Sequence, residues 1–521
     1  MKGSFWVWVI LFFAVALRYV SPDQTEERLI VPDGVEYAVS AVNLIEGKGY
    51  QIFIGGIPYP PRYPFGYPLC LAPFYFFLGG KLGNGIFCSL FFSLGTILLS
   101  FLLAQKLFGK QIALWATLFL TVSPLHIYWS RVIMADIPSC FITLCVLWIL
   151  FSGDITPKRL FWVGALLGVD CWFKYLNLFW LPVFFLFLIS RKEKKQATFY
   201  GTTAFLSGAI LSLIPLFLYH QFVFGSPFRT GYSFWVPEWS RLKNAFEITY
   251  AFHQPPLPVH QKMPNLLALG QFLLGIGFPW MWNPYPFLLV PFIGIGIWKI
   301  LQETDPHSQK RKEFLFLCLL ATGVSYGFSS LYFAPSPRFL LSVVPLLVTL
   351  AAIGVNALFN RWPKRFQNGI LLLSAWTLLI SPFLLNRVEG KSRARKSYVQ
   401  LVKRNTMPDA FVITEWDPVS FYHEIQKGSK RTYIPISKEL EYVHRPFRPD
   451  PKREIPFRVA SQELEFLEKI VLSRGPVYLD GLSCENYLEE CRALRKKFRF
   501  REIAFQEGVR LYQLESRKAE F

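Results

Sequence analysis

The sequence predicts a polytopic α-helical membrane protein, with about 11 transmembrane helices and a small C-terminal α/β domain. Three observations carry that prediction. The 521 residues are 52% hydrophobic with a mean hydropathy of +0.32, and they include 52 Phe, 23 Tyr and 16 Trp. Soluble domains rarely sustain such a composition. The apolar residues fall in blocks rather than at core periodicity. At roughly 17–25 residues the blocks are long enough to cross a ~30 Å hydrocarbon layer, where backbone groups must bond internally and therefore form helices. Near Val388 the composition turns to that of a soluble domain, dividing 1–387 from 388–521.

The expected spans are Phe5–Tyr19, Gly85–Leu107, Ile112–His126, Pro138–Phe151, Leu160–Phe173, Leu176–Ser190, Thr198–Tyr219, Pro284–Ile300, Phe314–Leu331, Phe339–Leu358 and Gly369–Leu385. Tyr67–Gly79 and Leu266–Trp282 are short and flanked by Pro or Gly, and read as juxtamembrane or re-entrant helices. The first apolar run lacks a small-residue cleavage site and more spans follow, so it reads as a retained helix rather than a signal peptide.

Most of the formal charge of +20 lies in short clusters between spans. Lys106 and Lys110, Lys158 and Arg159, Arg191–Lys195, Lys310–Lys312, and Arg361 with Lys364 and Arg365 occupy every second loop, which assigns that face to the cytoplasm. The same pattern speaks against a nucleic-acid partner. The N-terminus is then inside. The first loop (21–84), the Ser123–Ile137 turn, the long loop 221–283, the Ala334–Arg338 turn and the C-terminal domain are extracytoplasmic. A cluster from Arg387 to Lys396 on the outer side runs against this assignment. Six cysteines lie in or beside apolar segments and read as packing residues. Cys484 and Cys491 fall in the polar C-terminal part, where an outer compartment permits a disulfide. No Cys/His spacing suggests zinc.

In the C-terminal part, AFVIT (Ala410–Thr414), TYIPI (Thr432–Ile436) and VYLD (Val477–Asp480) read as strands. SQELEFLEKIVLS and NYLEECRALRKKF read as amphipathic helices, and Phe498–Ala504 with Val509–Leu514 as a closing strand pair.

The stretch Val31–Pro68 is too polar for lipid and lies between two apolar segments. Asp33 precedes a run with helical apolar spacing (Tyr37, Val39, Val42, Leu44, Ile45) that suits an interfacial helix. Asp33 would sit at the N-terminus of that helix, held by backbone N–H groups. Glu36, three residues on, reads as a second acid or as a capping partner. Asp136 opens a span in SRVIMADIP, either as a plain helix cap or as an acid facing Asp33 across an outer cavity. Four cations share that face: Arg62 in PPRYP, Arg131, Lys174 in DCWFKYLN, and Arg338 after the APSP turn. Each reads either as a side chain snorkelling at a helix end or as a phosphate contact. GSPFRTGY (Gly225–Tyr232), with Phe234, Trp235 and Trp239 nearby, could stack on a sugar or cover the cavity. EWDP (Glu415–Pro418) reads as a strand-end turn.

Taken in order, the acid pair Asp33 and Glu36 after the first span, the GIPYPPRYPFGYP hinge, SPLHIYWSRVIMADIP, the basic residue Lys174, FGSPFRTGY and SPRFLLSVVPLL resemble type-C glycosyltransferases. The nearest branch is the protein O-mannosyltransferase-like one, with the lipid A aminoarabinose transferases as relatives. The resemblance covers most of the membrane part. It implies a GT-C fold, an integral membrane enzyme and a polyprenyl-phosphate-linked sugar as donor. It also implies Asp33 as general base and Arg338 as a ligand of the donor phosphate. Arg62 stands near where the aminoarabinose transferases carry a Lys before their Pro-Pro element.

The expected function is inverting transfer of a sugar to an acceptor hydroxyl of a protein, lipid or polysaccharide at the outer face of the plasma membrane. Asp33 would be catalytic, Glu36 and Asp136 would be accessory acids, and Arg338, Lys174, Arg62 and Arg131 would hold phosphate. No cofactor is expected. A divalent ion on Asp33, Glu36 and Asp136 is chemically conceivable but not favoured, because this branch generally does without one. A lipid-linked sugar flippase is the second class, although the two-half symmetry of such transporters is not evident. A non-catalytic envelope-assembly protein is the third.

Overall fold

The computed structural model describes residues 2–27, 33–54, 57–191, 195–235, 246–253, 263–277, 283–305, 308–333, 335–359, 400–414, 431–436, 476–486, 488–506 and 508–517. Ten of the expected spans fall within them, and each is helical. Helix α1 (Lys2–Arg18) leads through α2 (Pro22–Glu27) and α3 (Asp33–Ile45) to a two-stranded hairpin, β1 (Ile52–Ile54) and β2 (Ile57–Tyr59). Helix α4 (Gly66–Leu78) is followed by α5 (Ile86–Phe108), α6 (Lys110–Thr121), α7 (Pro124–Ser130), α8 (Asp136–Phe151) and α9 (Pro157–Asp170). Then come α10 (Trp180–Ser190), α11 (Lys195–Phe224) and the short α12 (Gly231–Trp235). Asn265–Leu273, Val290–Gln302, Ser308–Leu331 and Val344–Phe359 complete the described helices of the membrane part that bear on its spans.

Within the described residues, full-length spans are fewer than the ten expected there. Among the described residues four helices are long and apolar enough to cross a bilayer: Leu82–Phe108, Thr198–Phe224, Ser308–Leu331 and Pro337–Phe359. A fifth arises if the bent pair Lys110–Thr121 and Pro124–Ser130 is one span, and five further apolar helices are 10–17 residues long. Backbone chemistry explains the shortening. Pro124 has no N–H to give Leu120 and its ring blocks the preceding turn, so the chain bends by 60° between α6 and α7. Ser123 restarts the helix by accepting the His126 N–H on its hydroxyl (3.3 Å). Arg18, fully buried at the end of α1, donates across the break to Thr121 O (3.0 Å) and Leu120 O (3.3 Å) and reaches His126 Nδ1 (3.0 Å). The sequence Gly369–Leu385, the Arg387–Lys396 cluster, EWDP and SQELEFLEKIVLS lie outside the described residues.

Helix α3 is not a surface helix. Gly34 to Asn43 are all buried, so the helix is enclosed by protein rather than laid on lipid, and it packs along α4. The apolar spacing marked a buried face correctly but not the medium covering it.

The C-terminal part is a small mixed sheet of order β4-β3-β5-β7-β6. Strands β3 (Phe411–Thr414), β4 (Thr432–Pro435) and β5 (Val477–Asp480) are parallel, while β6 (Phe498–Gln506) and β7 (Val509–Ser516) form an antiparallel pair on β5. Cys484 and Cys491 are joined in a disulfide that ties Gly481–Asn486 to the helix Leu488–Lys497.

Candidate active site

Asp33 is the first residue of α3, so its carboxylate stands at the positive end of a helix. Two groups hold it. Arg338 Nη1 donates to Oδ2 at 2.8 Å, and the Tyr63 hydroxyl donates to Oδ1. Both side chains of the ion pair keep some access to solvent, 13% for Asp33 and 22% for Arg338. Burial alone would push the Asp33 carboxyl up. The Arg338 charge, the hydrogen bonds from Tyr63 and Arg338, and the Arg62 charge outweigh it and hold the group below the usual carboxylate range. The Tyr63 phenol is pushed well above its ordinary value by burial and by the Asp33 charge, so it stays a protonated donor.

One turn along α3, Glu36 faces Arg62. Glu36 Oε2 accepts the Arg62 main-chain N–H at 3.0 Å, and Oε1 stands 3.6 Å from the guanidinium. These side chains are only 1% and 5% exposed. Arg62 thus has a setting different from the one expected of a phosphate ligand: it is closed inside the hinge, against an acid.

The hinge itself is wedged between two other connections. The Gly66 N–H donates to Trp172 O at 2.7 Å, and a Cβ on Gly66 would overlap the Trp172 main chain. A Cβ on Gly231, which opens α12, would overlap the carbonyls of Pro61 and Arg62. Only glycine permits both approaches. Tyr232 then lies beside Tyr63, with ring centroids 5.6 Å apart, and Tyr37 also packs on it at 4.8 Å.

Beside the Asp33–Arg338 pair runs a second one. Lys174 Nζ donates to Asp136 Oδ1 at 2.6 Å. Phe339 lies next to both cations, 5.1 Å from Lys174 Nζ and 5.5 Å from the Arg338 guanidinium carbon, and Trp129 flanks Arg338 at 5.6 Å. Asp136, Lys174, Asn177, Ser329, Tyr332 and Arg338 are among the residues lining one narrow cleft. The structure therefore brings together Asp33, Arg338, Asp136 and Lys174. Arg131 ends α7, its N–H on Tyr128 O, and is not among the residues lining that cleft. Among the described residues no three His, Cys, Asp or Glu side chains converge as a metal site requires.

Several contributors escaped the sequence reading. Tyr63 was visible only as part of the hinge, and Trp129 and Phe339 only as aromatic residues in spans. Asp170 is the largest omission. It ends α9 fully buried, with the Ser139 and Asn177 side chains and the Lys174 charge beside its carboxylate. Its main-chain carbonyl accepts from the N–H groups of Phe173 and Lys174 and from Asn177 Nδ2, which fixes the turn carrying Lys174. An ionisable residue inside an apolar block was the available signal.

Residues 63–220 match the family model described as dolichyl-phosphate-mannose-protein mannosyltransferase. The structure resembles ArnT from Cupriavidus metallidurans in the apo state, with a TM-score of 0.65 at 14% identity over 98% of both chains. The same protein bound to undecaprenyl phosphate gives a TM-score of 0.62 at 12% identity, covering 98% of this chain and 97% of that one. The apo oligosaccharyltransferase of Archaeoglobus fulgidus gives 0.57 at 13% identity, covering 93% of this chain and 70% of that one. No curated protein is significantly similar in sequence. Identities this low speak for the fold. The chain therefore shares the fold of these multi-pass membrane proteins, and the family match covers about 158 of its 521 residues. The matched segment holds Tyr63, Asp136, Asp170 and Lys174, begins after Asp33 and Glu36, and ends before Arg338.

Proposed function

We propose that the protein transfers a sugar from a polyprenyl-phosphate donor to an acceptor hydroxyl, with inversion at the anomeric carbon, in a cleft at the extracytoplasmic face. The observation that carries this reading is the Asp33–Arg338 pair, partly open to solvent and continuous through Phe339 with Lys174 and Asp136. A hydroxyl is a weak nucleophile until its proton begins to leave. Asp33 takes that proton while the acceptor oxygen bonds to the anomeric carbon and the carbon–oxygen bond to phosphate breaks. The leaving group is prenyl phosphate, already ionised, so no general acid is required. Charge developing on it meets Arg338 and Lys174, cations fixed before the reaction begins. Asp136 orients Lys174. Glu36 and Arg62 stabilise the hinge rather than contact phosphate. The N-terminus is cytoplasmic and the C-terminal domain extracytoplasmic in this reading.

The test is transfer by purified protein in lipid nanodiscs, supplied with a polyprenyl-phosphate sugar and a hydroxyl acceptor. Wild type forms product and releases prenyl phosphate in equal amounts, while Asp33→Asn folds and forms none. Full activity in that variant would remove Asp33 as the base.

A further inference from the structure

Both cations at the cleft are already engaged. Lys174 is 2.6 Å from Asp136 and Arg338 is 2.8 Å from Asp33. A donor phosphate reaching this cleft therefore competes with the base for the same guanidinium. Resting on the reading above, we propose that Arg338 is handed from Asp33 to the donor phosphate, so that donor binding unmasks the base, and that Tyr63 is the positioning residue that keeps Asp33 in place during the exchange.

The geometry supplies each part. Arg338 binds only one Asp33 oxygen, Oδ2, through Nη1, and its Nε has no hydrogen-bond partner among the described residues. The guanidinium is flanked by Trp129 and Phe339 and already lines the cleft, within reach of a phosphate that enters it. The other oxygen, Oδ1, belongs to Tyr63, whose ring is fixed between Tyr37 and Tyr232. When Arg338 leaves, Oδ2 is the oxygen set free, and it is the atom that receives the acceptor proton. With Arg338 in place, Oδ2 is blocked and an acceptor or water arriving first meets an inactive base. Donor then precedes acceptor in the kinetic order.

Linkage makes the idea measurable, because two ligands of one group must weaken each other equally. The probe is undecaprenyl phosphate without sugar, titrated onto the full chain in nanodiscs. Asp33→Asn is expected to bind it about tenfold or more tightly than wild type, since Arg338 no longer has a competing carboxylate. In an Arg338→Ala background the same change is expected to alter affinity by less than twofold. Asp33→Ser serves if the Asn variant does not fold. Tyr63→Phe is expected to leave the Kd for this probe and the donor KM within twofold of wild type while lowering kcat about tenfold, a split that a general loss of packing would not give. Equal or weaker binding by Asp33→Asn, with wild type binding normally, overturns the handover. Failure of wild type to bind the probe at all instead overturns the lipid-phosphate donor reading on which it rests.

Discussion

Helix α3 presents two carboxylates one turn apart, and each meets an arginine, yet the two pairs serve different ends. Glu36 and Arg62 are sealed, 1% and 5% exposed, and join main chain as well as side chain. Asp33 and Arg338 meet through a single donation, Nη1 to Oδ2, and retain 13% and 22% exposure. Burying a pair raises the cost of removing either partner, because the survivor is left charged in a poorly polarisable interior. Leaving a pair at a cleft lowers that cost and allows exchange with a ligand. The same two residue types thus close a hinge in one place and stand open to exchange in the other, which is the setting the proposed chemistry needs.

The comparison breaks most sharply at Asp33. Asp33→Asn should lower transfer by about 10²–10⁴-fold, the usual worth of a general base. Its unfolding temperature should stay near that of wild type. Glu36→Ala should do the reverse. Stranding Arg62 is expected to cost about 3–5 kcal/mol of stability, read by thermal unfolding in nanodiscs, with kcat per folded molecule little changed. If Glu36→Ala folded as well as wild type but lost activity, the two roles would have to be exchanged. Lys174→Ala should weaken use of the donor by about 10–100-fold in kcat/KM, the value of a charge-assisted contact of roughly 1.5–3 kcal/mol.

The smallest effect is on pH. Asp33 is held below the ordinary aspartate range of about 3.9. A depressed carboxyl contributes stability above its unfolded value and loses it only as pH falls through the folded one. Between about pH 5 and 8, neither folding nor kcat/KM for the donor should therefore respond to Asp33. If Arg338 moves to phosphate, burial is less opposed and the acid limb of kcat should lie above that of kcat/KM.

Much of this was legible in sequence, and the failures have physical causes. Apolar blocks mark helices well because lipid forces the backbone to bond to itself, which is why every expected span within the described residues is helical. Their lengths were less legible. Hydropathy averages over Pro124 and over the 3-10 openings at Tyr175–Phe179 and Pro337–Val343, where the helices bend or tighten. Among the site residues, charge at a loop edge singled out Asp33, Asp136, Lys174 and Arg338. Which acid meets which base could not be read, since Asp33 and Arg338 are 305 positions apart. Sequence displays the Arg62 charge but not its burial against Glu36. Asp170 went unnoticed because one acid in an apolar block hardly alters its average.

Arg18 carries one more consequence. Its guanidinium ties the Thr121 and Leu120 carbonyls to His126 across the bend, and Trp129 beyond that bend flanks Arg338. The first helix is thereby a structural part of the enzyme rather than an interchangeable tether. Grafting a generic apolar anchor in its place would preserve insertion, yet leave the broken helix free to straighten and the aromatic wall beside the guanidinium out of position.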